Sequence, residues 1–254
     1  MELISLNDFI LYEVKPDGAC LFRSLSNALY LNSDKNIGNL KLKFLESGYF
    51  NDEYADFLKD FDNDIIECFI NQDNDCLEDE LEEEIARGLQ KIILNYIGRN
   101  ADMDVNSILM DATGEKLLIR DLVLAVHGHS MEEYLNLYEI FAGDEDFRKK
   151  IEIDEFGKEY EKKEKVADRW GGTLEIIIFA HLFKININVF ITQIYDNRIK
   201  KYRDNPTITA KNRQNILLNR VETIRCLRKG VPEFNLLLRT LSLGSHYDFL
   251  IHKN

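Results

Sequence analysis

The chain has 254 residues, a net charge of −13 and 45% hydrophobic residues, enough apolar material for a sizeable core in a soluble protein. The acidic balance argues against a nucleic-acid partner held through its phosphates, which needs a basic footprint. The richest apolar run, Leu174 to Phe183, is far too short to span a membrane. With 3 Pro and 13 Gly there is little material for flexible linkers, so one domain over 1–254, acting as a monomer, is expected. Met1 to Ile10 carries acids and no basic segment, unlike a signal peptide. Four cysteines (Cys20, Cys68, Cys76 and Cys226) include no C-x-x-C pair, which points to a reducing, cytoplasmic setting with no zinc site.

Phe9 to Val14 reads as a short edge strand. It leads into Asp17-Gly18-Ala19-Cys20-Leu21-Phe22-Arg23-Ser24, a glycine-containing turn that opens a helical run. Leu21, Phe22, Leu25, Ala28 and Leu29 recur at helical spacing, with Asp17 as a cap near the start. A sulfur at that position lies at the positive end of the helix dipole, beside amides that lack carbonyl partners. Those amides can also receive the oxyanion of a tetrahedral intermediate. Taken alone, Cys20 is better read as inert packing.

Further along, Leu40 to Phe61 has helical spacing with a break at Gly48, and Asp73 to Asp75 reads as a loop. Leu77 to Ile97 forms an amphipathic helix with Leu81, Ile85, Leu89, Ile92, Ile93 and Tyr96 on one side. Its acidic start, Glu78 to Glu84, is expected to be a solvated first turn. Leu117 to Val126 and Met131 to Phe141 look helical, with His127-Gly128-His129 as a loop between them. A charged stretch follows from Asp144 to Lys165. Tyr134, Leu137, Tyr138, Ile140 and Phe141 suit either an apolar contact patch or core, and helical spacing favours core.

In the last third the period changes from helix to strand. Leu174 to Phe183 reads as a buried helix, and Ile185 to Ile191 alternates as a strand does. A turn is expected at Tyr195 to Arg198, with further strands at Asn215 to Val221 and Asn235 to Leu243. Gly244 to Ile251 reads as a turn entering a strand, on which His246 and Asp248 share a face. A carboxylate beside an imidazole fixes its tautomer and stabilises the imidazolium. Helices first and strands later give an α+β protein with a small, mostly antiparallel sheet.

Three blocks in order resemble the ovarian-tumour (OTU) cysteine proteases that remove ubiquitin. They are Asp17 to Arg23, Trp170-Gly171-Gly172 with Glu175, and His246-Tyr247-Asp248. The resemblance implies a papain-like OTU fold without cofactor or metal, and ubiquitin or polyubiquitin as the partner. It implies that Cys20 is the nucleophile, His246 the general base and acid, and Asp248 the orienting acid. Backbone amides from Asp17 through Gly18 and Ala19 to Cys20 then form the oxyanion hole, while Trp170, Gly171, Gly172 and Tyr247 line the groove for ubiquitin's Gly-Gly tail. The family often has Asn where this chain has Ala19, so the oxyanion donors here are backbone groups alone. About 149 residues separate Cys20 from Trp170, more than the family core needs, which implies a helical insertion at roughly 100–165. Two alternatives stay open: an inactive ubiquitin-binding module, and a thiol protease for another substrate such as a ubiquitin-like modifier.

Overall fold

A computed structural model describes residues 3–15, 19–49, 79–109, 115–139, 147–153, 159–165, 171–226, 230–241 and 244–253. Asp17, Gly18, Cys68, Cys76, Asp73 to Asp75, Ile140, Phe141 and Trp170 lie outside these residues, as does the part of the expected 40–61 helix beyond Tyr49.

The elements, in chain order, are β1 (Leu3–Ser5), β2 (Phe9–Tyr12), α1 (Cys20–Leu31), α2 (Ile37–Glu46), α3 (Asp79–Arg99), α4 (Ile119–His127), α5 (Met131–Glu139), β3 (Phe147–Ile153), β4 (Glu159–Lys165), α6 (Thr173–Phe183), β5 (Asn186–Asp196), β6 (Lys201–Asp204), β7 (Ile216–Ile224), β8 (Glu233–Leu241) and β9 (Gly244–His252). Among the described residues a seven-stranded sheet runs β1-β7-β5-β8-β9-β2, with β6 also paired to β5. Every pairing is antiparallel except β5 with β8. The result is the α+β, papain-like arrangement of helices on a small, mostly antiparallel sheet. No helix among the described residues is long and apolar enough to cross a membrane.

Alternation on the strands divides the sheet into two faces. Tyr247 and Phe249 on β9, Leu236 on β8, and Ile187 and Val189 on β5 join the larger core with the helices. Leu250, Leu237, Phe190, Leu218, Phe9 and Leu6 form a smaller core on the other side. β5 is therefore apolar on both faces. A bulge between Val189 and Phe190 breaks its register with β7. Opposite this bulge, Val221 is half exposed.

Helix α6 is apolar all round, with Leu174, Ile176, Ile177, Ile178, Phe179 and Ala180 buried, as expected of a central helix. Helix α2 ends before Gly48, whose φ of +73° fits the expected break. Three sequence expectations are corrected in the fold, the third at the start of α3. The charged stretch before Lys165 contains the β3–β4 hairpin, so the 100–165 region is not wholly helical. Residue Ala19, not Asp17, is the N-cap of α1, and it gives no side-chain cap.

Helix α1 is buried from Cys20 to Tyr30, and its Arg23, Asn27 and Ser24 side chains find partners on α3 and β9. Arg23, 2% exposed, bonds Glu82 at 3.2 Å and Glu83 at 2.9 Å. Asn27 also donates to Glu82. At the start of α3, Glu82 is thus the buried half of an ionic latch on α1 and Glu83 its part-exposed half, where a solvated turn was expected. Hydrogen bonds from Arg87 and then Arg23 hold the Glu83 carboxyl down at about 2. Its contribution to stability is present above the ordinary carboxylate range and is lost as pH falls toward 2.

Removing one partner of a buried ion pair leaves the other charge uncompensated. Arg23→Met is expected to destabilise the protein by about 3–5 kcal/mol in urea unfolding. Adding Glu82→Leu should recover a good part of that loss.

Candidate active site

Strand β2 stops short of the start of β9. Their pairing runs from Phe9 opposite His252 to Tyr12 opposite Phe249, which leaves Tyr247 beyond the last paired residue. Helix α1 takes up both backbone groups of Tyr247 there. The Tyr247 N–H points at Cys20 Sγ at 3.5 Å, and Ser24 Oγ donates to the Tyr247 carbonyl at 3.0 Å. One turn of helix thereby serves as the neighbouring strand and fixes the sulfur against the histidine strand.

His246 and Asp248 occupy the other face of β9 from Tyr247, two residues apart as the alternation requires. His246 Nε2 lies 2.8 Å from Asp248 Oδ1. The same oxygen accepts the Val14 N–H at 3.1 Å. Asp248 Oδ2 is in ion-pair contact with Arg239 Nη2, and Arg239 stands directly across from His246 in the β8–β9 register. Asp248 is fully buried and His246 is 1% exposed. With Nε2 engaged by Asp248, Nδ1 is the ring nitrogen left for the sulfur.

Burial acts to lower the pKa of the His246 imidazole. Hydrogen bonding to Asp248 and Cys20, together with their charges, outweighs burial and pushes it up to about 9. The group is thus held as imidazolium beside the sulfur. Cys20 N–H opens α1, in the first turn, where amides have no carbonyl partner within the helix.

The glycine segment closes on the same helix. A Cβ at Gly171 would sit 2.6 Å from Leu21 Cδ2 and 3.2 Å from Phe22 Cε2, so only glycine fits beside the residues that follow Cys20. Gly172 precedes α6, and its N–H donates to Glu175 Oε2 at 2.7 Å. Glu175 is fully buried. Its Oε1 also accepts the Tyr134 hydroxyl at 2.5 Å and lies 3.2 Å from His127 Nε2. Burial raises the pKa of this carboxyl, but His127, Tyr134 and the Gly172 amide outweigh burial and hold it below the ordinary value. His127 is the last residue of α4, before Gly128 at φ +70°, and it braces Glu175 from there.

The structure thus brings together Cys20, His246, Asp248, Gly171 and Gly172, with Ala19 capping α1. Tyr247 corrects the expectation of a groove wall. Its ring is buried in the core, and burial, then the nearby Glu222, Glu175 and Cys20 charges, pushes its phenol up. Its contribution to the site is the backbone. Arg239 and the role of Val14 went unnoticed in the sequence, and His127, expected in a loop, is the last residue of α4. A lone arginine in the apolar run Leu236-Leu237-Leu238-Arg239 was the available signal, since a strand cation flanked by leucines needs a buried acid.

Gly171→Ala is expected to displace the start of α1, because Leu21 is fully buried and has no room to move. Overpacking of this kind costs about 1–3 kcal/mol. Thermal unfolding measures the cost, and slower modification of Cys20 by an alkylating reagent reports the displacement.

The sequence matches the OTU-like cysteine proteases over residues 15–222. No curated protein matches the chain. The matched span contains Cys20, Gly171, Gly172 and Glu175 and ends within β7, so it is the fold that joins the His246 strand to the nucleophile helix. With a match over most of its length, the chain belongs to the OTU-like cysteine protease family.

Proposed function

We propose that the chain is a deubiquitinase, hydrolysing isopeptide bonds at the terminal glycine of ubiquitin, with Cys20, His246 and Asp248 in the roles of nucleophile, acid–base and orienting acid. The observation that carries this reading is the convergence of the Cys20 turn on the backbone and side chains of His246-Tyr247-Asp248, with Gly171 packed against the same turn. A diglycine tail offers no side chains to grip. Recognition of such a tail rests on main-chain hydrogen bonds and close approach.

The chemistry follows from the proton positions. Cys20 sulfur, as thiolate, attacks the glycine carbonyl carbon, and the carbonyl electrons move to oxygen. The first-turn amides of α1, Cys20 N–H among them, face that oxyanion. His246 then gives its proton to the departing lysine amine as the C–N bond breaks, leaving a thioester on Cys20. The neutral imidazole next takes a proton from water, whose oxygen attacks the thioester; the C–S bond breaks, the acid is released, and thiolate and imidazolium are restored. Asp248 holds the imidazole through Nε2 throughout.

Covalent capture at Cys20 by ubiquitin carrying a thiol-reactive C-terminus, lost in Cys20→Ala, tests the reading. Capture by a ubiquitin-like modifier instead would reassign the substrate, and reversible binding without capture would leave a binding module. Asp248→Asn is expected to retain ubiquitin binding and lose about 10²–10⁴ in kcat; unchanged turnover would remove Asp248 from its role.

The raised His246 value sets the pH dependence. Because the imidazolium is the proton donor, kcat/KM should fall as pH rises through about 9. The same group adds stability that is complete below its ordinary 6.5 and is lost as pH rises through about 9. A falling limb near pH 7 would mean that the pair is not held as described.

A further inference from the structure

We propose that Arg239 is a positioning residue that tempers the proton affinity of the His246–Asp248 couple, as a fixed counter-charge on the carboxylate oxygen facing away from the imidazole. This rests on the reading above, in which Cys20, His246 and Asp248 perform the catalysis.

The two oxygens of Asp248 are divided between different partners. Oδ1 takes the imidazole and the Val14 amide, and Oδ2 takes Arg239. The carboxylate is fully buried, so water cannot replace a partner that is lost. Arg239 is itself held on the far side by Glu13, Nη1 to Oε1 at 2.9 Å, and its side chain is only 17% exposed. The charged groups facing the couple are Cys20 from α1, Arg239 from β8 and Asp248 on β9, with Glu13 reaching it only through Arg239. Glu175 and Glu222 face the Tyr247 phenol on the other side of β9.

An unshared buried carboxylate would bind the imidazolium proton too tightly for a group that must release it to the leaving amine and take another from water. A permanent cation on the second oxygen draws charge away from the first and weakens that hold. Arginine suits the place because it stays charged at every working pH and its planar fork reaches two carboxylates at once. The outer pair with Glu13 is exposed on the Glu13 side, 63% for that side chain, and adds little energy of its own.

The test is a histidine titration by NMR on the full chain with ¹³C-labelled imidazoles. The five histidines allow the His246 signal to be assigned from its loss in His246→Asn. In Arg239→Met and Arg239→Gln the His246 midpoint should move upward from the wild-type value by about half a pH unit or more. Arg239→Lys, which keeps the charge, and Glu13→Gln, which keeps the inner contact, should stay near wild type. In parallel, kcat/KM on a ubiquitin–fluorophore conjugate at pH 7 should fall about tenfold in both neutral variants and recover in the lysine variant. An unmoved or lowered midpoint in Arg239→Gln overturns the proposal, whether or not Arg239→Met folds. A shift in the methionine variant alone would also overturn it, since shape and not charge would then be the cause. If wild-type protein leaves the ubiquitin conjugate intact, the deubiquitinase reading fails while the titration still decides the role of Arg239.

Discussion

The site depends on a strand edge that a helix completes. β2 gives out one turn too early to pair with the start of β9, and the backbone of Tyr247 is left facing the first turn of α1. A buried N–H and C=O without partners would each cost a kcal/mol or more. Cys20 sulfur and Ser24 hydroxyl answer that need, so the contact that satisfies the edge also brings the nucleophile to the histidine strand. Their residues lie 227 and 223 positions from Tyr247 in sequence. The site therefore exists only once the whole sheet has closed, and no local segment can build it alone.

Much of this was legible because the signals are periodic or local. The all-apolar run before Phe183, the alternation through Ile191 and the two-residue spacing of His246 and Asp248 each follow from the geometry of one element, and each appears in the fold. What stayed hidden depends on pairings between elements. The acidic start of α3 looks like an ordinary solvated turn until Arg23 is found buried beneath it. The β3–β4 hairpin carries alternating charges with few apolar residues, so the pattern that reveals a half-buried strand is missing. Tyr247 sits inside a catalytic-looking motif, yet the same alternation that aligns His246 with Asp248 sends its ring to the opposite face.

Glycine at 171 shows how packing and chemistry constrain one another. The residue is needed because α1 lies too close for a Cβ, and α1 lies that close because it must reach β9. The Gly172 amide is held by Glu175, so the segment is tied to the core at one end and pressed against the nucleophile helix at the other.

The two buried carboxylates of the site are supported in the same way with one difference. Asp248 has a backbone amide from Val14, an imidazole from His246 and a third partner, the Arg239 side chain. Glu175 has a backbone amide from Gly172, an imidazole from His127 and a third partner, the Tyr134 side chain. Each acid has a polar or charged partner at both oxygens. The third partner separates their work. A phenol adds a hydrogen bond and no charge, which is sufficient for an acid whose task is to hold a loop. A guanidinium adds a permanent charge, and a charge beside an acid alters how firmly that acid's own partner keeps its proton. The acid whose imidazole we propose exchanges a proton in every cycle is the one that has the cation.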